Sequence, residues 1–331
     1  MNKEETGIRK ILRPSRIWTD CLPFALILGV ILVFAGSVLE ELAVKFLPVN
    51  CFFGKIVGNM DVGEFVGMYA TFIVFWILYP VFVLIPKYNR PMVKGLAFGK
   101  GRNPVKWILI GALLGFGTNG LCILMSVLMG DIKISFNSFS PGILLLFLVA
   151  ICIQSGAEEI ICRSYIYQKL RRRYKTPWVA IIFNSAFFAL MHVFNPGITF
   201  VSVLQIIIVG MIFALFVYDF DCLWAAIAMH TTWNFTQSIL FGLPNSGIVS
   251  AYSLFKLDAA SARNGFFYNV NFGVEGSIGS VVVLAIPLVI LIVIAVKKGE
   301  KTDLWEGKVY SKRIRARLNE AKTAAEAKEE E

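Results

Sequence analysis

Two adjacent carboxylates follow a long apolar run, in Ala157-Glu158-Glu159-Ile160-Ile161-Cys162-Arg163. From Gly142 to Ile153 the chain reads GILLLFLVAICI, so a continuing helix would carry Glu158, Glu159 and Arg163 into hydrocarbon. Each such group costs about 2.5–3.5 kcal/mol at a bilayer centre, which makes it a functional-site candidate by default. Glu159 and Arg163 are i and i+4 and can pair along one face. Glu158 is turned about 100° away, with no cation at i+3 or i+4, and is free for chemistry. The chain holds only 2 histidines. One ends Phe188-Ala189-Leu190-Met191-His192; the other begins His230-Thr231-Thr232-Trp233-Asn234. Asn184, Phe188 and His192 fall on one helical stripe, as do His230 and Asn234.

These residue types suit hydrolysis of an acyl or peptide bond. A carboxylate kept from bulk water serves as a general base near neutral pH. A neighbouring imidazole holds the same water or passes the proton to a leaving amine. A second histidine with an asparagine one turn away supplies donors for a developing oxyanion. A metal site is the competing reading, because Glu158, His192 and His230 match a two-histidine, one-carboxylate zinc set. There is no HExxH, and Asn234 is a poor zinc ligand, so no metal or other cofactor is the favoured expectation and zinc stays the alternative.

The surrounding elements must be membrane helices. Of 331 residues, 57% are hydrophobic and 16% charged, against roughly 45–50% and 25% in soluble domains. The expected fold is all-α and polytopic, with an intramembrane active site and about eight transmembrane helices, near 21–43, 64–86, 106–129, 142–167, 177–195, 198–218, 222–241 and 277–297. Three regions follow: a basic cytoplasmic N-terminus at 1–20, a transmembrane domain at 21–298 with the motifs in 142–241, and a charged tail at 299–331. No removable signal is read at the N-terminus.

The net charge of +10 does not point to nucleic acid, because the basic residues cluster between spans. With both termini cytoplasmic, inner segments hold 26 Lys and Arg against 5 outside, Arg163 standing apart within the membrane. Cys21, Cys51, Cys122, Cys152, Cys162 and Cys222 lie in or beside apolar stretches without a CxxC, which argues against a disulfide framework or zinc knuckle. Helical rise puts Glu158 about 13 Å above the basic cuff after Tyr167, and His230 about 12 Å above Cys222. A break at Thr176-Pro177 would level His192 with both and end the fifth span near Asn195-Pro196-Gly197. The expectation is one buried site opening towards the cytoplasmic leaflet.

Lesser candidates have plainer readings. Glu40 and Glu41 are expected at the interface, Arg171-Arg172-Arg173 as a topology signal touching headgroups, and Gly111 and Gly115 as close-packing positions. Cys162 has no partner that would make it a nucleophile.

Taken in order, Glu158-Glu159-x-x-x-Arg163, Phe188-x-x-x-His192 and His230-x-x-x-Asn234 resemble the CPBP family of CAAX prenyl proteases and bacteriocin-processing proteins, also called Abi. The resemblance covers about residues 142–241 and implies an eight-helix intramembrane endopeptidase reached from the cytosolic side. It implies that Glu158 and His192 activate water, that His230 and Asn234 form the oxyanion hole, and that Glu159, Arg163 and Phe188 support them. The family has been described both as metalloprotease and as metal-free glutamate protease. The expected partners are the lipid bilayer and a membrane-associated protein or peptide substrate, in a bacterial-type cytoplasmic membrane. Oligomeric state and prenyl recognition are not legible. A non-catalytic immunity or scaffold protein of the same fold and a small proton-coupled transporter remain alternatives, although the inverted repeats common in transporters are not seen.

Overall fold

In hydrocarbon every backbone N–H and C=O must find its partner within the segment, so long apolar stretches become helices. The computed structural model describes residues 17–99 and 102–298. The charged tail at 299–331 and most of the basic N-terminus lie outside the described residues. The helices are α1 (Leu22–Phe46), α2 (Val49–Val57), α3 (Met60–Ala70), α4 (Ile73–Leu84), α5 (Val105–Leu128), α6 (Pro141–Glu159), α7 (Tyr167–Arg173), α8 (Pro177–Leu190), α9 (Phe200–Phe220), α10 (Leu223–Phe235) and α11 (Ile278–Lys298). Strands β1 (Ile134–Phe136) and β2 (Phe255–Leu257) pair antiparallel and tie two loops together.

The protein is polytopic and all-α, and each of the eight expected spans is largely helical. Among the described residues, six stretches are long and apolar enough to cross a membrane: 22–46, 60–84, 105–128, 141–173, 200–220 and 278–298. The fifth and seventh expected spans are shorter. The 14 residues of α8 cover about 21 Å, less than the roughly 30 Å hydrocarbon core. α8 stops where the chain turns at 191–197, and Gly197 closes that turn at φ 75°. A side chain there would also strike the Asn271 carbonyl. α10 has 13 α-helical residues and continues as a π-helix over Thr236–Leu240. A second π segment, Ile160–Ile166, joins α6 to α7 directly after the carboxylate pair. Such insertions shift the phase of side chains along a helix and are frequent at functional sites.

Helix alternation sorts the loops onto two ends. One end gathers residues 17–21, 87–99, 102–104, 174–176 and 221–222 and is rich in Lys and Arg; the other gathers 47–59, 129–140, 191–199 and 241–277. In the centre, α9 buries 61% of its most apolar window, whereas α1 buries 22%. An apolar helix buried by its neighbours is core, and one that is mostly uncovered turns its face to lipid. Between α5 and α10 the backbones touch: a Cβ on Gly111 would collide with the Ala225 carbonyl, and one on Gly115 with the Met229 carbonyl. Thr232 Oγ1 donates across that seam to the Ala112 carbonyl at 2.9 Å. The close-packing expectation for these glycines holds.

Candidate active site

Glu158 lies on α6 with relatively little exposure. Gln154, one turn earlier, donates from Nε2 to Glu158 Oε1 at 2.6 Å. Glu158 Oε2 is buried and has no hydrogen-bond partner among the described residues. It faces His192 Nε2 at 3.9 Å and His230 Nε2 at 3.8 Å. The structure therefore gathers Glu158, His192 and His230 from three elements around one carboxylate oxygen.

Each imidazole is oriented from behind. His192 Nδ1 lies 2.8 Å from the Phe188 carbonyl. A carbonyl only accepts, so Nδ1 carries the proton and Nε2 of the neutral ring presents a lone pair to Glu158. His192 does not sit on the helical stripe expected from the sequence. It follows the end of α8, in the turn, where its amide still donates to Ala189 O at 3.0 Å. His230 Nδ1 lies 3.1 Å from Glu159 Oε1. That same oxygen accepts from Arg163 Nη1 at 3.0 Å, with both side chains fully buried. Glu159 is thus shared: it pairs with Arg163 as the spacing suggests, and it also holds the second histidine.

Aromatic rings pin the guanidinium. Arg163 Cζ lies 4.5 Å from the Phe188 ring centroid and 5.1 Å from that of Phe213, while Nη2 donates to the Gly210 carbonyl at 3.0 Å. Phe188 also meets His230 edge-on, at 5.7 Å between centroids, and Phe213 stacks on the same imidazole at 5.3 Å. Asn234 follows His230 by one turn and donates weakly from Nδ2 to Gln154 Oε1 at 3.4 Å. The loop residue Asn245 donates to the Asn234 carbonyl, also at 3.4 Å.

Glu158, His192, His230 and Asn234 all line one cavity of about 290 Å³. Gln154, Glu40, Tyr69, Asn245 and Ser246 line it as well and were not expected there. Gln154 was recognisable, being polar and exactly one helical turn from Glu158 within an apolar stretch. The loop residues carried no such signal. Glu40, expected at the interface, also lines the cavity and accepts from Thr71 Oγ1 at 2.9 Å; Glu41 is exposed.

The cavity walls come from mid-depth and from the end bearing the 241–277 loop, and no described residue of 17–22, 87–99, 102–104, 167–176 or 219–222 contributes. One further expectation changes. Arg171 and Arg172 are not headgroup contacts: they are 2% and 1% exposed. Arg172 pairs with Asp20, which also holds Lys169 Nζ at 3.1 Å. Cys162 is wholly buried, consistent with a packing role.

The zinc alternative can be tested on the donors. The 3.8 and 3.9 Å separations exceed the roughly 3.3 Å between neighbouring ligand atoms in a tetrahedral zinc site. No group of three or more His, Cys, Asp or Glu among the described residues is arranged to hold a metal. The donor types are ones that zinc takes, and the separations are about half an ångström wider than such a site uses.

Residues 139–236 match the family model described as type II CAAX prenyl endopeptidase Rce1-like. This motif-bearing core is thus similar to the CAAX-protease family. The matched segment runs from just before α6 to the end of α10 and contains every motif residue. No curated protein and no solved structure matches the chain. The family match indicates a peptidase, and the six long apolar helices with it indicate an integral membrane protein.

Proposed function

We propose that this protein is a metal-free intramembrane endopeptidase that hydrolyses a peptide bond in a membrane-associated protein or peptide. One observation carries the reading: an unpartnered carboxylate oxygen of Glu158 faces two imidazoles whose far nitrogens are already held. A water between Glu158 Oε2 and His192 Nε2 gives its proton to Glu158 and adds as hydroxide to the scissile carbonyl. Asn234 Nδ2 and His230 Nε2 face the oxygen on which charge develops. Because His230 Nδ1 donates to Glu159 Oε1, donation from Nε2 as well takes a ring carrying both protons. The protonated Glu158 then delivers its proton to the departing amine, so base and acid are one residue. Glu159, Arg163 and Phe188 act by holding His230 in place.

The distribution of Lys and Arg supports placing both termini in the cytoplasm. The test compares peptide termini in cells carrying the wild-type protein or Glu158→Gln at equal expression. Termini that vanish in the variant and cluster on membrane-associated chains are the expected result; identical termini would refute proteolysis. Activity of purified protein lost to a chelator and restored by zinc would refute the metal-free mechanism.

A further inference from the structure

The long loop after α10 brings a further carboxylate towards the site. Glu275 sits in a 3₁₀ turn, Val274–Gly276, just before α11, and is buried. It lies outside the matched segment 139–236. Trp233 Nε1 donates to its Oε1 at 2.9 Å, and the Ser246 amide donates to its Oε2 at 2.8 Å. A neutral acceptor could tether a loop at a smaller desolvation cost than a carboxylate. Both donors lead back to the site. Trp233 immediately precedes Asn234 on α10, and Asn245 Nδ2 reaches the Asn234 carbonyl at 3.4 Å. Asn245 and Ile248 exchange backbone N–H···O bonds in both directions, each 2.9 Å long. Between them φ is 48° at Ser246 and 85° at Gly247, the two positive values of a type I′ turn. Serine is not a residue that such a turn selects, so its conformation depends on what holds its amide. Gly247 packs against the turn that carries His192: a Cβ there would strike the Pro196 carbonyl. The Asn195 amide in turn donates to the His192 carbonyl at 3.0 Å. One carboxylate therefore stands where the segments bearing Asn234 and His192 are joined.

We propose that Glu275 is a positioning residue for the hydrolytic site: it locks the Asn245–Ile248 turn onto α10 and so sets where His192 and Asn234 stand. This rests on the peptidase reading for what those two side chains do, and on packing alone for the coupling between them. Both Glu275 oxygens are taken by donors, so it acts through its neighbours and not on the substrate. The two imidazoles also interact with its charge and favour its ionised form, the form that accepts from two N–H groups at once. With the turn released, His192 would lose its register with Glu158 Oε2, 3.9 Å away, and a water shared between them would lose one of its two partners.

The experiment pairs kinetics with amide hydrogen exchange on the purified full-length protein in detergent. The variants are Glu275→Gln, which sets an N–H where one of the two donors needs an acceptor, and Trp233→Phe, which keeps an aromatic ring but removes one donor. The kinetic probe is a synthetic peptide spanning a terminus that disappears in Glu158→Gln cells. Glu275→Gln should lower kcat by about 10-fold at nearly unchanged KM, short of the roughly 10²-fold that a 1 Å misplacement can cost. Trp233→Phe should lower kcat less, and the double variant should lose less than the two losses multiplied, because both act through one contact. Exchange should quicken in peptides covering 191–197 and 243–248 and keep the wild-type rate in α6 and α9. Should Glu275→Gln not fold, Trp233→Phe carries both readouts. Unchanged kcat would overturn the proposal, as would exchange that rises evenly through every helix, the mark of a purely structural acid. If Glu158→Gln removes no terminus, the peptidase reading fails; local quickening would then still uphold the coupling, and its absence would refute it.

Discussion

The continuous helix from Pro141 to Arg173 carries two clusters of buried charge that end in different states. Near the basic end, Lys169 and Arg172 converge on Asp20, with Thr19, Asn89 and the Tyr88 carbonyl completing the set. These side chains are all buried. At mid-depth, Arg163, Glu159 and His230 form a similar network, but it adjoins a cavity and leaves Glu158 Oε2 unpartnered among the described residues. Both clusters bear the desolvation cost of burying ions. The first returns it as a fixed contact between the start of α1 and α7. The second holds a reactive oxygen at a wall where water and substrate can meet it.

Substitutions that spare one cluster and damage the other test that contrast. Glu158→Gln should lower turnover by roughly 10²–10⁴-fold, the range for loss of a positioned acid–base group, with an unchanged melting transition in detergent. Retained turnover would place Glu158 with the structural charges. Asp20→Ala should cost about 3–5 kcal/mol of stability, because two buried cations lose their counter-ion; thermal unfolding of the purified protein reads this. A neutral result there would mean that the basic-end cluster is not structural.

Asn234→Ala should reduce kcat by about 10²–10³-fold if its amide stabilises the oxyanion, and single-turnover assays would separate this from weaker substrate binding. Gln154→Leu removes the donor to Glu158 Oε1 and should cost about 1–3 kcal/mol of stability, the cost of an unsatisfied buried acceptor. Thermal unfolding in detergent reads it, beside a fall in kcat/KM.

The smallest effect concerns Glu275, outside the spans. Burial raises its pKa above the ordinary 4.5, opposed by the hydrogen bonds from Ser246 and Trp233 and by the two histidines. A carboxyl raised in the folded state contributes stability that is complete below its unfolded value and is lost as pH rises through the folded one. Wild-type stability should therefore decline slightly as pH climbs past 4.5, and Glu275→Gln should flatten that decline. An identical pH profile in the variant would show that Glu275 does not titrate in that window.

Much of the architecture was legible because hydrophobic length in a bilayer leaves helix as the main solution. The Glu159–Arg163 pair followed from i, i+4 spacing alone. The levelling of Glu158 with His230 followed from a constant rise per residue and from a common boundary at the basic cuff. Other features lay beyond such arguments. His192 lies past the end of its helix, in a turn whose Gly197 packs against the Asn271 carbonyl, a contact far away in sequence. The seventh expected span continues as a π-helix, which has no periodic signature in the sequence.

The sequence by itself determined the helical spans, the polarity of the two ends and the residue types that meet at mid-depth, because these depend on local composition and on one fixed helical geometry. Tertiary structure alone decided that Glu159 serves both Arg163 and His230, that Glu40 and the 245–248 loop wall the site, and on which end the cavity lies. Those outcomes depend on which side chains fill the space between helices. At the basic end Asp20 reaches Arg172 across 152 positions of sequence; beside Glu158 the described residues leave a cavity of about 290 Å³.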